Sequence, residues 1–169
     1  MRIRASELEL AFPPPVGLQH LVVIGSGGGP VAIDEFQVVV PTDGSKPVSI
    51  LIVEDEALIA SYIEEVLGES GFRVAGIAAS GPEALSLAAE NQPSLALVDI
   101  RLTGPIDGIE LACRLREKFA VPAIFLSGLI DAQTTERAQA AHPLGFLSKP
   151  FLPSQVFNAI QRALDLPGW

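Results

Sequence analysis

The stretch "SLALVDIRLTGPIDG", residues 94–108, contains a run of four apolar residues that ends abruptly on an acid. The run extends from Leu95 to Val98 and is followed directly by Asp99, and a second acid, Asp107, comes eight positions later, just before Gly108. A short, unbroken apolar run is typical of a strand buried on both faces of a parallel sheet. The apolar run alone does not decide whether Asp99 is an ordinary loop residue or a reactive carboxylate.

Similar apolar runs alternate with segments of helical periodicity from residue 48 onward. The other four runs lie at 49–53, 72–78, 122–127 and 145–148. Five strands alternating with five helices predict an α/β fold, a doubly wound parallel sheet covered by helices on both faces. In such open sheets ligands bind beyond the carboxyl ends of the strands.

Turn-forming residues mark several helix ends. Ser80-Gly81-Pro82-Glu83 predicts the start of the second helix, with a proline in its first turn. Gly68 and Gly71 are predicted to stop the first helix, and the fourth helix is expected over about 131–141, ending near His142 because a proline follows.

The composition of the chain limits its number of domains, its binding partners and its cellular location. With 169 residues, 49% of them hydrophobic, the chain has room for one domain and an appendage. Its 11 basic and 20 acidic residues give a net charge of −9, which argues against nucleic-acid binding and leaves divalent cations or basic protein surfaces open as partners. The single cysteine, Cys113, excludes an internal disulfide and favours a reducing, cytoplasmic location.

Residues 1–47 differ from the rest of the chain, and the turn formers of residues 41–49 mark the boundary. We expect an N-terminal extension, partly disordered or folded as a loose β-hairpin, followed by a domain over 48–169. The glycine cluster "GSGGGP" is not a dinucleotide-binding loop, because Pro30 lies where the third glycine of that motif belongs. Prolines and glycines within residues 10–33 also argue against a membrane span.

Polar residues follow the apolar runs at the edge where ligands are expected. Glu54 and Asp55 follow the first run, Asp99 the third, Ser127 ends the fourth, and Lys149 follows the fifth. Clustered carboxylates have raised pKa values unless a cation compensates, and a few oxygen ligands suit Mg²⁺. With an ammonium and a hydroxyl nearby, such a site can hold a phosphoryl group. Spacing alone leaves Asp99 as either a cation ligand or a nucleophile.

Four motifs together resemble one family. "LIVEDEALIA", "LALVDIRL…DGIELA", "PAIFLSG" and "GFLSKPF" resemble the receiver domain of bacterial two-component response regulators, the CheY-like family, over about residues 48–166. The resemblance implies a flavodoxin-like sheet of strand order 2-1-3-4-5. It also implies that Asp99 accepts a phosphoryl group from a sensor histidine kinase or a histidine phosphotransfer protein.

The resemblance assigns further roles at the same site. Mg²⁺ would be held by the side chains of Glu54, Asp55 and Asp99 and by the backbone carbonyl of Arg101. Ser127 and Lys149 would contact the phosphoryl oxygens, and the peptide bond between Lys149 and Pro150 would be cis.

Two positions depart from the usual family pattern. Most receivers have seven residues from the phosphoacceptor to the Asp-Gly pair, whereas Asp107 is eight away, so the 102–106 loop carries one extra residue. The extra residue is either a tolerated insertion or a change in access to the phosphoryl group. Phe146 lies where many receivers have a tyrosine or another aromatic residue that rotates inward on activation. Phe146 can also change rotamer but has no ring hydroxyl, and Ser127 and Phe146 are the expected switch residues.

Three functions remain open from the sequence. The leading hypothesis is a stand-alone, non-enzymatic receiver in phosphorelay signalling, because the sequence ends three residues after Leu166. Its output would pass to a protein partner through the face of the fourth helix, fifth strand and fifth helix, with a homodimer left open. One alternative is a Mg²⁺-dependent phosphohydrolase or phosphotransferase using Asp99, although Arg101 replaces the second aspartate of haloacid-dehalogenase-like enzymes. The other is a binding module that phosphorylation does not regulate.

Overall fold

In the computed structural model of the protein, the residues described are 47–128 and 132–165. The expectations for residues 1–46, including the loose β-hairpin and the glycine cluster, lie outside the described residues. None of the helices in the described part of the chain is long and apolar enough to cross a membrane.

Five parallel strands form one sheet in the order β2-β1-β3-β4-β5, which confirms the predicted fold class. The strands are β1 (Ser49–Val53), β2 (Arg73–Ala78), β3 (Leu95–Asp99), β4 (Ala123–Ser127) and β5 (Gly145–Ser148). Every residue of β1, β3 and β4 is buried, as the unbroken apolar runs predict. Because β3 lies between β1 and β4, Asp99 is at the centre of the carboxyl edge.

Five helices cover the two faces of the sheet. They are α1 (Ala57–Glu69), α2 (Gly81–Asn91), α3 (Gly108–Phe119), α4 (Ala132–Gln139) and α5 (Pro153–Leu164). Alternate residues of β3 belong to different cores. Leu95 and Leu97 pack in the core that includes α1 and α5, whereas Ala96 and Val98 pack in the core that includes α2 and α3. This two-sided burial is the physical reason for the apolar run.

Two predicted helix ends are wrong. Gly68 does not stop α1, which continues to Glu69, whereas Gly71 follows the end of that helix as predicted, with a φ of 79°. The α4 helix ends at Gln139, before the predicted boundary, because the next three backbone N–H groups bond to carbonyls only three residues back. His142 adopts a φ of 48° after that turn. The start of α2 is as predicted, with the Ser80 hydroxyl accepting from the Glu83 N–H.

Candidate functional site

A cleft opens at the carboxyl edge of the sheet, where three of the strand-end residues meet. It is lined by Asp55, Glu56, Asp99, Arg101, Gly128 and Lys149. These residues come from the ends of β1, β3, β4 and β5. The parallel arrangement therefore brings together residues that are up to about a hundred positions apart in the sequence.

Three carboxylates form a compact acidic cluster in and beneath this cleft. Glu54 and Asp99 are buried and Asp55 is half-buried, and one oxygen from each lies within 4.8 Å of the others. Hard divalent cations such as Mg²⁺ take carboxylate and carbonyl oxygens together with water. The donor set and its spacing fit such an ion.

The ammonium group of Lys149 compensates two of the three charges. Its Nζ lies 2.6 Å from Asp99 Oδ2, to which it donates a hydrogen bond, and 2.6 Å from Glu54 Oε2. The second contact is an ion pair without the alignment of a hydrogen bond. Sequence reasoning assigned Lys149 to phosphoryl oxygens and did not anticipate that it bridges two acids.

Burial and the bridge shift the pKa values of Glu54 and Lys149. Burial raises the pKa of Glu54, and the nearby Asp99 charge raises it further, while the contact with Lys149 lowers it only in part. Burial lowers the pKa of Lys149, but its contacts with Asp99 and Glu54 outweigh burial, so that this pKa lies above the ordinary lysine value. The ammonium is therefore the strongly favoured form inside the cluster.

Asp99 is held by a second hydrogen bond. Its Oδ1 accepts from the backbone N–H of Arg101 at 2.9 Å, while Oδ2 is bound to Lys149. Arg101 itself is exposed at the wall of the cleft. The carboxylate is thus fixed in orientation at a site that opens to solvent, as a nucleophile or a cation ligand requires.

Ser127, Phe146 and Lys149 lie on the neighbouring strands β4 and β5 or at their ends. Ser127 is buried at the end of β4, and its carbonyl accepts from the Lys149 N–H at 2.7 Å. Phe146 packs against Phe125 with ring centroids 5.7 Å apart. The peptide bond between Lys149 and Pro150 is cis.

The loop from Ile100 to Asp107 makes contacts that the sequence did not predict. Its Thr103 backbone N–H donates to Asp55 Oδ2 at 3.2 Å. At its end, the Asp107 side chain accepts from the Glu110 N–H at 2.8 Å and from Arg137 of α4 at 2.7 Å. The first Asp107 contact is an N-cap that its Asp-Gly position could have indicated. The contacts from Thr103 to Asp55 and from Arg137 to Asp107 join distant segments, and no local sequence pattern indicates them.

Close packing at residue 108 explains why a glycine follows Asp107. A Cβ atom at this position would lie 1.9 Å from the backbone carbonyl oxygen of Asp99. The start of α3 therefore packs directly on the end of β3, in a space that only glycine fits.

Comparison with known proteins identifies the family. The profile of the response regulator receiver domain family matches residues 50–161, about two thirds of the chain. The chain belongs to this family. Its strand order is the one that the resemblance implied.

Two curated relatives of this receiver domain are named as regulators. The chain is 35% identical over 123 residues to the transcriptional regulatory protein PdtaR of Mycobacterium tuberculosis, covering 73% of the chain and 60% of PdtaR. It is 35% identical over 116 residues to the phyllosphere-induced regulator PhyR of Methylorubrum extorquens, covering 68% of the chain and 43% of PhyR. The chain thus spans about 60% or less of the length of these two relatives.

Solved structures show the same fold. The signal receiver domain of a modulated diguanylate cyclase from Desulfovibrio desulfuricans G20 is 36% identical and has a TM-score of 0.67, with 70% of this chain and 94% of that one covered. A CheY-like response regulator receiver domain protein from Methanospirillum hungatei JF-1 is 26% identical with a TM-score of 0.66, covering 71% and 95% of the two chains.

Proposed function

We propose that this receiver domain accepts a phosphoryl group on Asp99, with Mg²⁺, and signals by changing its affinity for a protein partner. One observation carries the proposal. Asp99 is fixed at the central strand end of an open cleft, where Lys149 lies 2.6 Å away and two further carboxylates surround a space suited to a cation. Family membership and the regulatory names of its relatives support the same conclusion.

Mg²⁺ would be held by Asp55 and Asp99, with Glu54 nearby and the backbone carbonyl of Arg101 as a further oxygen. When bound, the cation neutralises negative charge on the phosphoryl oxygens and on the carboxylates. Lys149 already neutralises two acids in this cluster. The Lys149 ammonium can therefore exchange one of these carboxylates for an oxygen of the phosphoryl group.

The chemical step transfers a phosphoryl group between two side chains. An oxygen of Asp99 attacks the phosphorus of a phosphohistidine on a sensor kinase or a histidine phosphotransfer protein. A P–O bond to Asp99 forms as the P–N bond breaks, and the electron pair returns to the imidazole. The buried backbone of β3 and the Arg101 N–H hold the attacking carboxylate in place.

The phosphoryl group would then engage Ser127 and Lys149. Lys149 follows β5 directly, and Phe146 lies in the same strand, packed on Phe125. A movement at Ser127 can therefore reach the face formed by α4, β5 and α5, which we propose as the partner-binding face. In this proposal the domain is a cytoplasmic regulator and not an enzyme. Its partner is another protein or, in a homodimer, a second copy of this chain.

Beryllofluoride, which mimics a bound phosphoryl group, tests the switch. The amide resonances of Ser127, Phe146 and Lys149 are measured with Mg²⁺ alone, beryllofluoride alone and both together, in wild type and in Asp99→Asn. In wild type we expect beryllofluoride with Mg²⁺ to shift these resonances beyond the shifts that Mg²⁺ alone produces, and in Asp99→Asn we expect no such additional shift. Equal shifts in Asp99→Asn, or none in wild type, would contradict the proposal. Partner affinity unchanged by the mimic would instead favour a binding module without phosphate control.

A further inference from the structure

The 102–106 loop is anchored at both ends by apolar side chains. Leu102 and Ile106 are each only 7% exposed, and both belong to the core on the α2 and α3 side of the sheet. Ile106 also packs tightly on Gly81 at the start of α2, where an added Cβ atom would lie 2.9 Å from the Ile106 Cβ. The loop ends are therefore held in place by burial.

The middle of the loop is exposed and reaches the acidic cluster. Thr103, Gly104 and Pro105 are exposed between the two anchors. Gly104 has a φ of 124°, a backbone conformation that residues with a side chain rarely adopt. This arrangement directs the Thr103 N–H to Asp55 Oδ2, a contact between residues 48 positions apart in the sequence.

The hydrogen bond restricts the Asp55 carboxylate. It engages one oxygen, Oδ2, and leaves Oδ1 for a cation. A ligand whose orientation is fixed by a neighbouring group loses less conformational freedom when the ion binds. Groups that orient metal ligands in this way commonly change metal affinity by about tenfold or more.

We propose that the backbone amide of Thr103 is a positioning group for the cation site, and that the longer loop serves to place it. This inference rests on the proposed function, because it takes Asp55 to be a cation ligand. The role belongs to the amide and not to the Thr103 side chain. Substitutions at this position can therefore distinguish the contribution of the backbone amide from that of the side chain.

Cation affinity of the full chain tests the inference. Mg²⁺ binding is measured by titration calorimetry for wild type, Thr103→Ala and Thr103→Pro. Alanine keeps the N–H and proline removes it. We expect Thr103→Ala to bind Mg²⁺ within about twofold of wild type and Thr103→Pro to bind about tenfold more weakly. Equal affinity in Thr103→Pro, with a melting temperature like that of wild type, would overturn the inference alone.

Hydrogen exchange provides a second test, which does not need the proline variant to fold. Hydrogen exchange of the Thr103 amide is followed by NMR in wild type and in Asp55→Ala. We expect slow exchange in wild type and faster exchange in Asp55→Ala, with the helix amide of Leu115 unchanged. Rapid exchange of this exposed amide in wild type would overturn the inference. Absence of any Mg²⁺ binding by wild type would overturn both the inference and the cation part of the proposed function.

Discussion

Lys149 is the residue on which the acidic cluster depends. Its ammonium is the only cationic group that contacts Glu54 among the described residues, and the Glu54 side chain is 0% exposed. Removing one partner of a buried ion pair leaves the other charge without compensation, which commonly costs about 3–5 kcal/mol.

We therefore expect Lys149→Met to lower the free energy of unfolding by about 3 kcal/mol near neutral pH. Urea denaturation measures the change. The double variant Lys149→Met with Glu54→Gln should recover part of the loss, because the uncompensated charge is then gone. Equal stability of Lys149→Met and wild type would show that the ion pairs do not contribute to folding.

Glu54 makes stability depend on pH in a definite direction. Because its pKa in the folded protein is raised above the ordinary value of 4.5, its contribution to stability is present below 4.5 and is lost as the pH rises through the folded value. The neutral variant Glu54→Gln lacks this titration. We expect its stability relative to wild type to rise from pH 4 to pH 8 in thermal unfolding, whereas a relative fall would contradict the raised pKa.

The start of α3 packs closely on the end of β3 next to the site. An added Cβ atom at Gly108 would lie 1.9 Å from the Asp99 carbonyl oxygen, so Gly108→Ala must displace the helix or the strand. We expect a loss of about 3 kcal/mol in the free energy of unfolding, measured in urea.

Gly68→Ala is the matched control for that substitution. Gly68 lies within α1, and a Cβ atom there would meet nothing within 4 Å. Since alanine favours helix more than glycine does, we expect a gain of about 0.5–1 kcal/mol. A loss at Gly68 equal to that at Gly108 would mean that close packing is not the cause.

Asp107 joins α3 to α4 through two contacts that can be separated. Asp107→Ala removes both the N-cap and the ion pair with Arg137, and should cost about 1 kcal/mol or more. Asp107→Asn keeps a capping side chain, and Arg137→Ala removes only the exposed pair, which should cost less than about 1 kcal/mol.

A double-mutant cycle on Asp107 and Arg137, measured by urea denaturation, gives their coupling. Partial burial raises the pKa of Asp107, but the hydrogen bond from the Glu110 N–H and the contact with Arg137 together lower it below the ordinary value of 3.8. Its contribution to stability is therefore present above 3.8 and is lost as the pH falls through the folded value. A coupling energy that stayed constant through this range would contradict the ion pair.

Much of the architecture followed from the periodicity of the sequence. Buried parallel strands leave unbroken apolar runs such as Leu95 to Val98, and helices leave apolar residues at intervals of three and four. The strand-end residues were located in the same way, because a parallel sheet collects them at one edge. Gly68 misled the prediction because an isolated exposed glycine lowers helix stability without ending the helix.

The contacts around the loop could not be predicted from the sequence. The bond from Thr103 to Asp55 uses a backbone amide, which any residue except proline supplies. The ion pair between Asp107 and Arg137 joins charged surface residues of ordinary type. The bridge from Lys149 to Glu54 depends on the relative positions of β1 and β5. Each depends on tertiary geometry, which local patterns do not encode.

Phosphoryl transfer to Asp99 is the central claim, and intact-mass measurement tests it most directly. The full chain is incubated with acetyl phosphate and Mg²⁺, and the mass is recorded for wild type and for Asp99→Asn, with and without a cation chelator. We predict that wild type gains one phosphoryl group only when Mg²⁺ is present, and that Asp99→Asn gains none. No gain by wild type, or an equal gain by Asp99→Asn, would contradict the account.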